Sequence, residues 1–365
     1  MNTRAQEKSW ALFVTICGMK KSDTHGVLYR KYRPQSFSEV VGQEQVTKVL
    51  EGAISQGNIA HAYLFSGTRG TGKTSVARIL AREIGTSADD VYEMDAASNR
   101  GIDDVRAIRE SVSTLPFNSK YKVYIIDEVH MLTKDAWNAF LKTLEEPPAH
   151  VVFILATTEL EKVPETVVSR CQVYTFKSPN EALLREFAQD VAKKEGVTLP
   201  KDAAELVAIL GDGSFRDTHG ILEKVLSSTT DKKISREEVE MVTGAPKASL
   251  IRDILEAIVL KDLPKGVQAV NAAKKANADM KLFTKLVLER LRYLFLIRLK
   301  AGMDDAIQAD ISEDDFSFIK DLAGKADKSL TSDVLVRFIQ AYQDVGRTAL
   351  PELALELALA DTMRT

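Results

Sequence analysis

The eight residues Gly67-Thr-Arg-Gly-Thr-Gly-Lys73-Thr74 constrain this chain more than any other stretch. They satisfy the pattern G-x-x-x-x-G-K-[ST] in full, and they join a buried-type strand over 61–66 to a helix over 74–84. Glycines let the backbone N–H groups of such a loop wrap phosphate oxygens, and the helix N-terminus adds partial positive charge. The loop therefore calls for a parallel sheet whose C-terminal edge faces a ligand. Four further strand patterns, over 91–95, 122–128, 151–158 and 172–176, alternate with helices over 102–112 and 134–144. Alternation on this scale predicts an α/β fold, a five-stranded parallel sheet flanked by helices on both faces.

After Ser178-Pro179 the strand signals vanish. Residues 180–243 predict three or four amphipathic helices broken at Gly196, Leu199-Pro200 and Gly211-Asp-Gly213. Residues 244–365 are helical again, with Leu282, Leu286, Leu291, Phe295 and Leu299 marking one apolar region. The expected domains are 27–179, 180–243 and 244–365, in keeping with roughly 150 residues per domain as a starting expectation. Residues 1–26 carry a short apolar run from Trp10 to Gly18 behind Arg4 and Lys8. Glu7 in the would-be positive region, and the lack of a small-x-small cleavage site, argue against a signal peptide. A disordered extension is expected there, with Met19 as an alternative natural start.

Composition excludes other large classes. The chain is 45% hydrophobic and 28% charged, an ordinary globular balance. No apolar run approaches the ~20 residues a membrane helix needs, so no membrane partner is expected, and the sparse cysteine use fits a reducing, cytoplasmic setting. Cys17 and Cys171 are the two cysteines, too few for a disulfide framework or a four-cysteine zinc site. Net charge is -3, so nucleic acid would have to meet a local basic patch.

The chemistry gathers at strand ends. Gly67, Thr68, Arg69, Gly70, Thr71, Gly72, Lys73, Thr74 and Ser75 form the nucleotide loop, with Lys73 reaching the β- and γ-phosphates and the Thr74 hydroxyl ligating Mg²⁺. Asp127 and Glu128 end the third strand. Asp127 is suited to hold Mg²⁺ through its water shell and Glu128 to act as general base on the attacking water. His130 makes this stretch resemble the D-E-x-H box of helicases, but a surface or helix-capping histidine is expected. Thr158, at the end of the fourth strand, either positions the water or is only a polar strand end. Arg170 suits stabilising phosphate charge, yet by itself is read as an arginine near a helix C-terminus. Ser214 and Asp217 predict a capping box. Arg216 then opposes the helix dipole, which points to a phosphate partner.

Further stretches complete a pattern: Tyr29-Arg-Lys-Tyr-Arg-Pro34, Val41-Gly-Gln43, Asp95-Ala-Ala-Ser98, Asp127-Glu-Val-His-Met-Leu132, Leu141-Lys-Thr-Leu-Glu-Glu-Pro-Pro148, Ala156-Thr-Thr158, Ser169-Arg-Cys171 and Gly213-Ser-Phe-Arg-Asp217. With the phosphate loop, and in this order, they make the chain resemble the γ/τ ATPase subunits of the bacterial DNA polymerase III clamp loader, which are AAA+ proteins. The resemblance covers roughly 27–226. It implies an AAA+ domain, a helical lid domain and, by position and length, a helical oligomerisation collar.

The resemblance also implies roles. Thr158 becomes sensor 1, Arg216 sensor 2, and Arg170 an arginine finger serving the neighbouring subunit. Val40, Val41 and the 29–34 segment line the adenine pocket, and Arg100 and Arg106 become DNA-contact candidates. Implied partners are a sliding clamp, δ- and δ′-like subunits, other copies of this chain and primed DNA. The implied activity is a DNA-dependent ATPase within a DNA-directed DNA polymerase (nucleotidyltransferase) holoenzyme, with no polymerase site of its own. Family members usually carry a four-cysteine zinc module after the loop helix. Residues 85–90 bridge that gap here, so the expected cofactors are ATP and Mg²⁺ with no zinc. The chain ends at Thr365 without the long τ tail that tethers polymerase and helicase, so those contacts are not carried over. Alternatives are a catalytically silent δ′-like subunit and a nucleic-acid translocase, either a helicase or a branch-migration motor.

Overall fold

The computed structural model describes residues 27–229, 232–326 and 330–363, so the expected N-terminal extension lies outside the described residues. Two helices, α1 (Leu28–Lys31) and α2 (Glu44–Ser55), lead into the sheet. There follow β1 (Ala62–Ser66), α3 (Lys73–Glu83), β2 (Val91–Asp95), α4 (Ile102–Val112), β3 (Lys122–Asp127), α5 (Lys134–Glu145), β4 (Val151–Thr157), α6 (Glu165–Val168) and β5 (Gln172–Thr175). The strands pair in parallel in the order β2-β3-β4-β1-β5. The five expected strands are present, and their ends fall within one residue of expectation.

Successive strand side chains point to opposite faces, and the core divides accordingly. Tyr63, Phe65, Val123, Ile125, Val152 and Ile154 pack against Leu50 of α2 and Val76, Ile79 and Leu80 of α3. Leu64, Tyr124, Ile126, Phe153 and Leu155 pack on the other side against Val105 of α4 and Phe140 and Leu144 of α5. Burial on both faces is why the inner strands have no polar alternation. Ser66 of β1 lies opposite Thr157 of β4, and β3 lies beside β4. The loops leaving β1, β3 and β4 therefore emerge side by side.

Beyond the sheet the described structure is helical. The first group is α7 (Glu181–Lys194), α8 (Lys201–Gly211), α9 (Phe215–Ser228) and α10 (Arg236–Thr243). Their core of Ala188, Val191, Leu206, Leu222 and Val225 also takes Leu28 from α1, although α1 was expected with the sheet. Four residues cannot bury a face alone, and Lys31 and Tyr32 fasten this end of the chain to Glu195. The second group comprises α11 (Ala248–Leu260), α12 (Leu263–Lys275), α13 (Met280–Arg298), α14 (Asp304–Asp310), α15 (Glu313–Lys325), α16 (Ser332–Val345) and α17 (Pro351–Met363). Leu286 and Leu291 lie in its core, and Leu282 and Phe295 pack at the margin of buried clusters. Leu299, expected in the same apolar region, caps α13 and is 56% exposed because the helix ends there.

The two helical groups meet across buried charge. Arg290 of α13 binds Glu205 of α8 and lies 3.6 Å from Asp315 of α15. Arg236 of α10 binds Glu240 at 3.1 Å, and Arg252 of α11 binds Asp315 at 2.7 Å. Among the described residues no helix is long and apolar enough to cross a membrane.

Candidate active site

The phosphate loop runs from β1 into α3 through left-handed backbone. At Gly67, φ is 147°, and a Cβ there would stand 2.4 Å from the Phe176 carbonyl oxygen. At Gly70, φ is 77°, and a Cβ would stand 1.9 Å from Ser214 Oγ. Only glycine fits either position. The Lys73 ammonium donates to the carbonyls of Gly67 and Thr68 at 2.7 and 2.8 Å, which folds the loop around it. Burial lowers the Lys73 pKa, while Glu128 and Asp127 push it back up. Thr74 Oγ1 donates to Asp127 Oδ2 at 2.6 Å. A hydroxyl and a carboxylate in contact beside a phosphate cradle form the oxygen donor set that Mg²⁺ prefers, so the residues present fit that ion.

Glu128 follows β3 in a left-handed conformation, φ 48°, which turns its side chain off the strand line. The Thr158 hydroxyl donates to Glu128 Oε2 at 2.9 Å. His130 is not a surface or helix-capping residue. The 3-10 turn Val129–Met131 brings it back over the sheet edge, leaving its side chain 6% exposed. Its Nδ1 lies 3.0 Å from Thr157 Oγ1 and 3.5 Å from Glu128 Oε2, and its Nε2 lies 3.3 Å from Glu159. The general-base candidate is thus held from two sides.

The N-terminus of α9 sits on the loop, because the Phe215 N–H donates to the Gly70 carbonyl at 3.1 Å. That seat carries Arg216 into the cleft and near enough to Lys73 to lower the lysine's pKa further. Ser214 accepts from the Asp217 N–H at 3.2 Å, but the reciprocal bond of the expected capping box is not formed, the Ser214 N–H donating instead to the Gly211 carbonyl at 2.9 Å. The cleft is lined by loop residues Arg69 to Ser75, by Asp127, Glu128 and Arg216, and by Tyr29, Pro34, Val40 and Val41.

Phe187 and His219 also line the cleft, and the sequence pointed to neither. Neither belongs to a local pattern that could have marked it. Gln43, within Val41-Gly-Gln43, had no role assigned from the sequence. It is fully buried, and its amide donates to the carbonyls of Thr71 and Lys177 at 3.4 and 2.7 Å, tying the phosphate loop to the chain after β5.

Of the expected residues, Gly67, Thr68 and Thr158 border the cleft without lining it, and Arg100, Arg106 and Arg170 lie apart from it. Arg170 pairs with Glu145 at 2.8 Å and donates to the Thr166 carbonyl at 2.6 Å. Arg106 pairs with Asp103 at 3.0 Å, and both Arg100 and Arg106 are exposed. Cys171, next to Arg170, is a free cysteine whose thiol burial pushes up to about 12.

Comparison with known proteins adds to this geometry. A family model for the DNA polymerase III delta subunit matches residues 42–100 and 86–180. A model for domain III of DNA polymerase III subunits gamma and tau matches residues 234–364. The tau subunit of Bacillus subtilis is 33% identical over 363 residues, covering 94% of this chain and 64% of that protein. The gamma/tau subunit of Mycobacterium tuberculosis is 36% identical over 360 residues, covering 91% and 62%. The tau subunit of Escherichia coli is 35% identical over 297 residues, covering 76% and 46%. The chain therefore spans about half to two thirds of the length of these relatives. Among solved structures, the Thermotoga maritima RuvB Holliday junction branch migration motor aligns with a TM-score of 0.50 at 24% identity, over 62% of this chain and 79% of that one. That likeness is one of fold.

Proposed function

The chain belongs to the family of DNA polymerase III gamma and tau subunits, and from that membership we propose that it is the ATP-driven motor of a cytoplasmic clamp loader, placing a sliding clamp on primed DNA. The observation that carries the reading is the joined set Lys73, Thr74–Asp127 and Glu128–Thr158 at one sheet edge. Thr74 and Asp127 would hold Mg²⁺, which would supply charge neutralisation on the phosphates. Lys73 and Arg216 orient the β- and γ-phosphates, and Glu128, fixed by Thr158, takes the proton from the attacking water. A δ′-like silent subunit needs none of these groups, so their presence favours the motor. δ- and δ′-like subunits, further copies of this chain and the polymerase III holoenzyme are the proposed setting. The ATPase rate should rise when primed DNA and the cognate clamp are added together, and a rate indifferent to both contradicts the reading.

The proposal includes a division of labour between subunits. Arg170 is held by Glu145 and Thr166 outside its own cleft, which already has Lys73 and Arg216. Supplied to a neighbour's γ-phosphate, it would make hydrolysis depend on assembly. Arg170→Ala should keep ATP binding yet lose stimulated turnover by up to ~10³, the lower end for arginine fingers. Mixing Arg170→Ala with Glu128→Gln subunits should restore part of the activity, because some interfaces then pair both intact residues. Mixed assemblies as inactive as each variant alone would end the in-trans reading.

Arg100 and Arg106 remain the proposed DNA contacts. Changing either to Ala should weaken primed-DNA binding across sequences and make the log–log salt slope shallower by ~0.9 per lost contact. An unchanged slope returns both to ordinary surface charge. The proposed site takes no zinc, residues 85–90 passing directly from α3 to β2. Elemental analysis showing one zinc per chain would refute that part.

A further inference from the structure

His219 places a polar atom among the apolar rings of the cleft. It follows Phe215 by about one turn of α9, nearly parallel to the ring of Tyr32 (6.2 Å, 11°) and 4.7 Å from the ring of Phe187. It is 5% exposed and lines the same cleft as Val40 and Val41. Nε2 is buried and has no hydrogen-bond partner within the protein. The main chain of Phe215 favours a proton on the ring, and with Nε2 unpartnered Nδ1 is the nitrogen it acts on. A proton on Nδ1 leaves Nε2 with a bare lone pair. Burial pushes the imidazole down to about 4, so the ring is neutral near pH 7. Leucine would suit Tyr32 and Phe187 equally well. A buried acceptor is costly unless a donor meets it, so a donor on the ligand belongs opposite Nε2.

The phosphate loop is blind to the base, and the rings of the cleft accept any purine. We propose that His219 selects the base, its Nε2 accepting a hydrogen bond from the exocyclic amine of adenine. Adenine carries that amine on C6. Guanine carries a carbonyl oxygen there, whose lone pairs would face the lone pair of Nε2, so guanine is disfavoured. The inference rests on the cleft being a nucleoside triphosphate site.

The test is equilibrium binding of three ribose-labelled triphosphates to the full chain with Mg²⁺: ATP, GTP and purine riboside triphosphate, which carries no substituent on C6. The wild-type protein should bind ATP roughly tenfold more tightly than the purine riboside compound, the scale of one neutral hydrogen bond, with GTP weaker than ATP. His219→Leu should abolish the gap between ATP and the purine riboside compound, with a far-ultraviolet circular dichroism spectrum matching the wild type to report that the variant is folded. A wild-type protein that treats those two alike overturns the role of His219 without recourse to any variant. So does a His219→Leu protein that keeps the full gap. If the wild-type protein binds none of the three, the nucleotide reading itself falls, and the base-selecting role falls with it.

Discussion

Glu128→Gln should bind ATP with near wild-type affinity and turn it over ~10²–10⁴ times more slowly, the usual worth of a positioned general base. The amide keeps the carboxylate's size, and its carbonyl oxygen can still accept from the Thr158 hydroxyl that now donates to Glu128 at 2.9 Å. What it loses is the basic oxygen. Glu128 acts on Lys73 through its charge, and the loop bonds from Lys73 to the Gly67 and Thr68 carbonyls do not involve it, so the phosphate cradle should be undisturbed. Lys73→Ala should behave in the opposite way. It deletes the cation at the centre of the loop and the two bonds to the Gly67 and Thr68 carbonyls, so ATP binding itself should weaken. Equilibrium binding and single-turnover hydrolysis, measured on both variants, separate the roles. Equal loss of binding in the two would show that the assignment is wrong.

Arg290→Met should destabilise the helical half of the molecule by about 3–5 kcal/mol, the cost of leaving a buried charge without its partner. The Arg290 side chain is 4% exposed, and Glu205, with which it pairs, is 7% exposed. Burial raises the Glu205 pKa, and the Arg290 and Arg236 guanidinium groups oppose that rise. Asp315 is held down by Arg290, Arg252 and Arg236 against its own burial. Removing Arg290 strips Glu205 of its direct partner and leaves Arg236 4.0 Å away. Urea unfolding followed by circular dichroism should show the loss. The added change Glu205→Leu should return at least half of it, because replacing both members of a buried pair by apolar groups is often close to neutral. A loss under ~1 kcal/mol in Arg290→Met would mean the pair behaves like a surface ion pair. This cluster joins α8 and α10 to α11, α13 and α15, so its loss should also loosen the first helical group from the second.

The strands, the phosphate loop and Asp127–Glu128 were legible because each is written within a few consecutive residues. An inner strand buried on both faces needs an unbroken apolar run, and β1 and β4 are buried at every position. The loop needs glycine where φ is positive and lysine at its closing turn, and those residues stand next to each other in the chain. Arg216 was legible as a local misfit at a helix start, and its family role came from a resemblance spread over 27–226.

The tertiary structure decided everything that depends on which distant surfaces meet. Nothing near residue 130 distinguishes a solvated histidine from one roofed by Thr157, Glu128 and Glu159. Leu28 looks the same whether it packs on the sheet or, as here, in the core of α7 to α10. His219 reaches the cleft because the N-terminus of α9 is seated on Gly70, more than a hundred residues earlier. Nothing local in the chain marks Glu205, Arg290 and Asp315 for burial, and they are buried where α8, α13 and α15 meet. Periodicity and turn chemistry act over one or two turns of chain, so the sequence carries them openly. Burial is a property of the partner surface, and that surface exists only once the chain has folded.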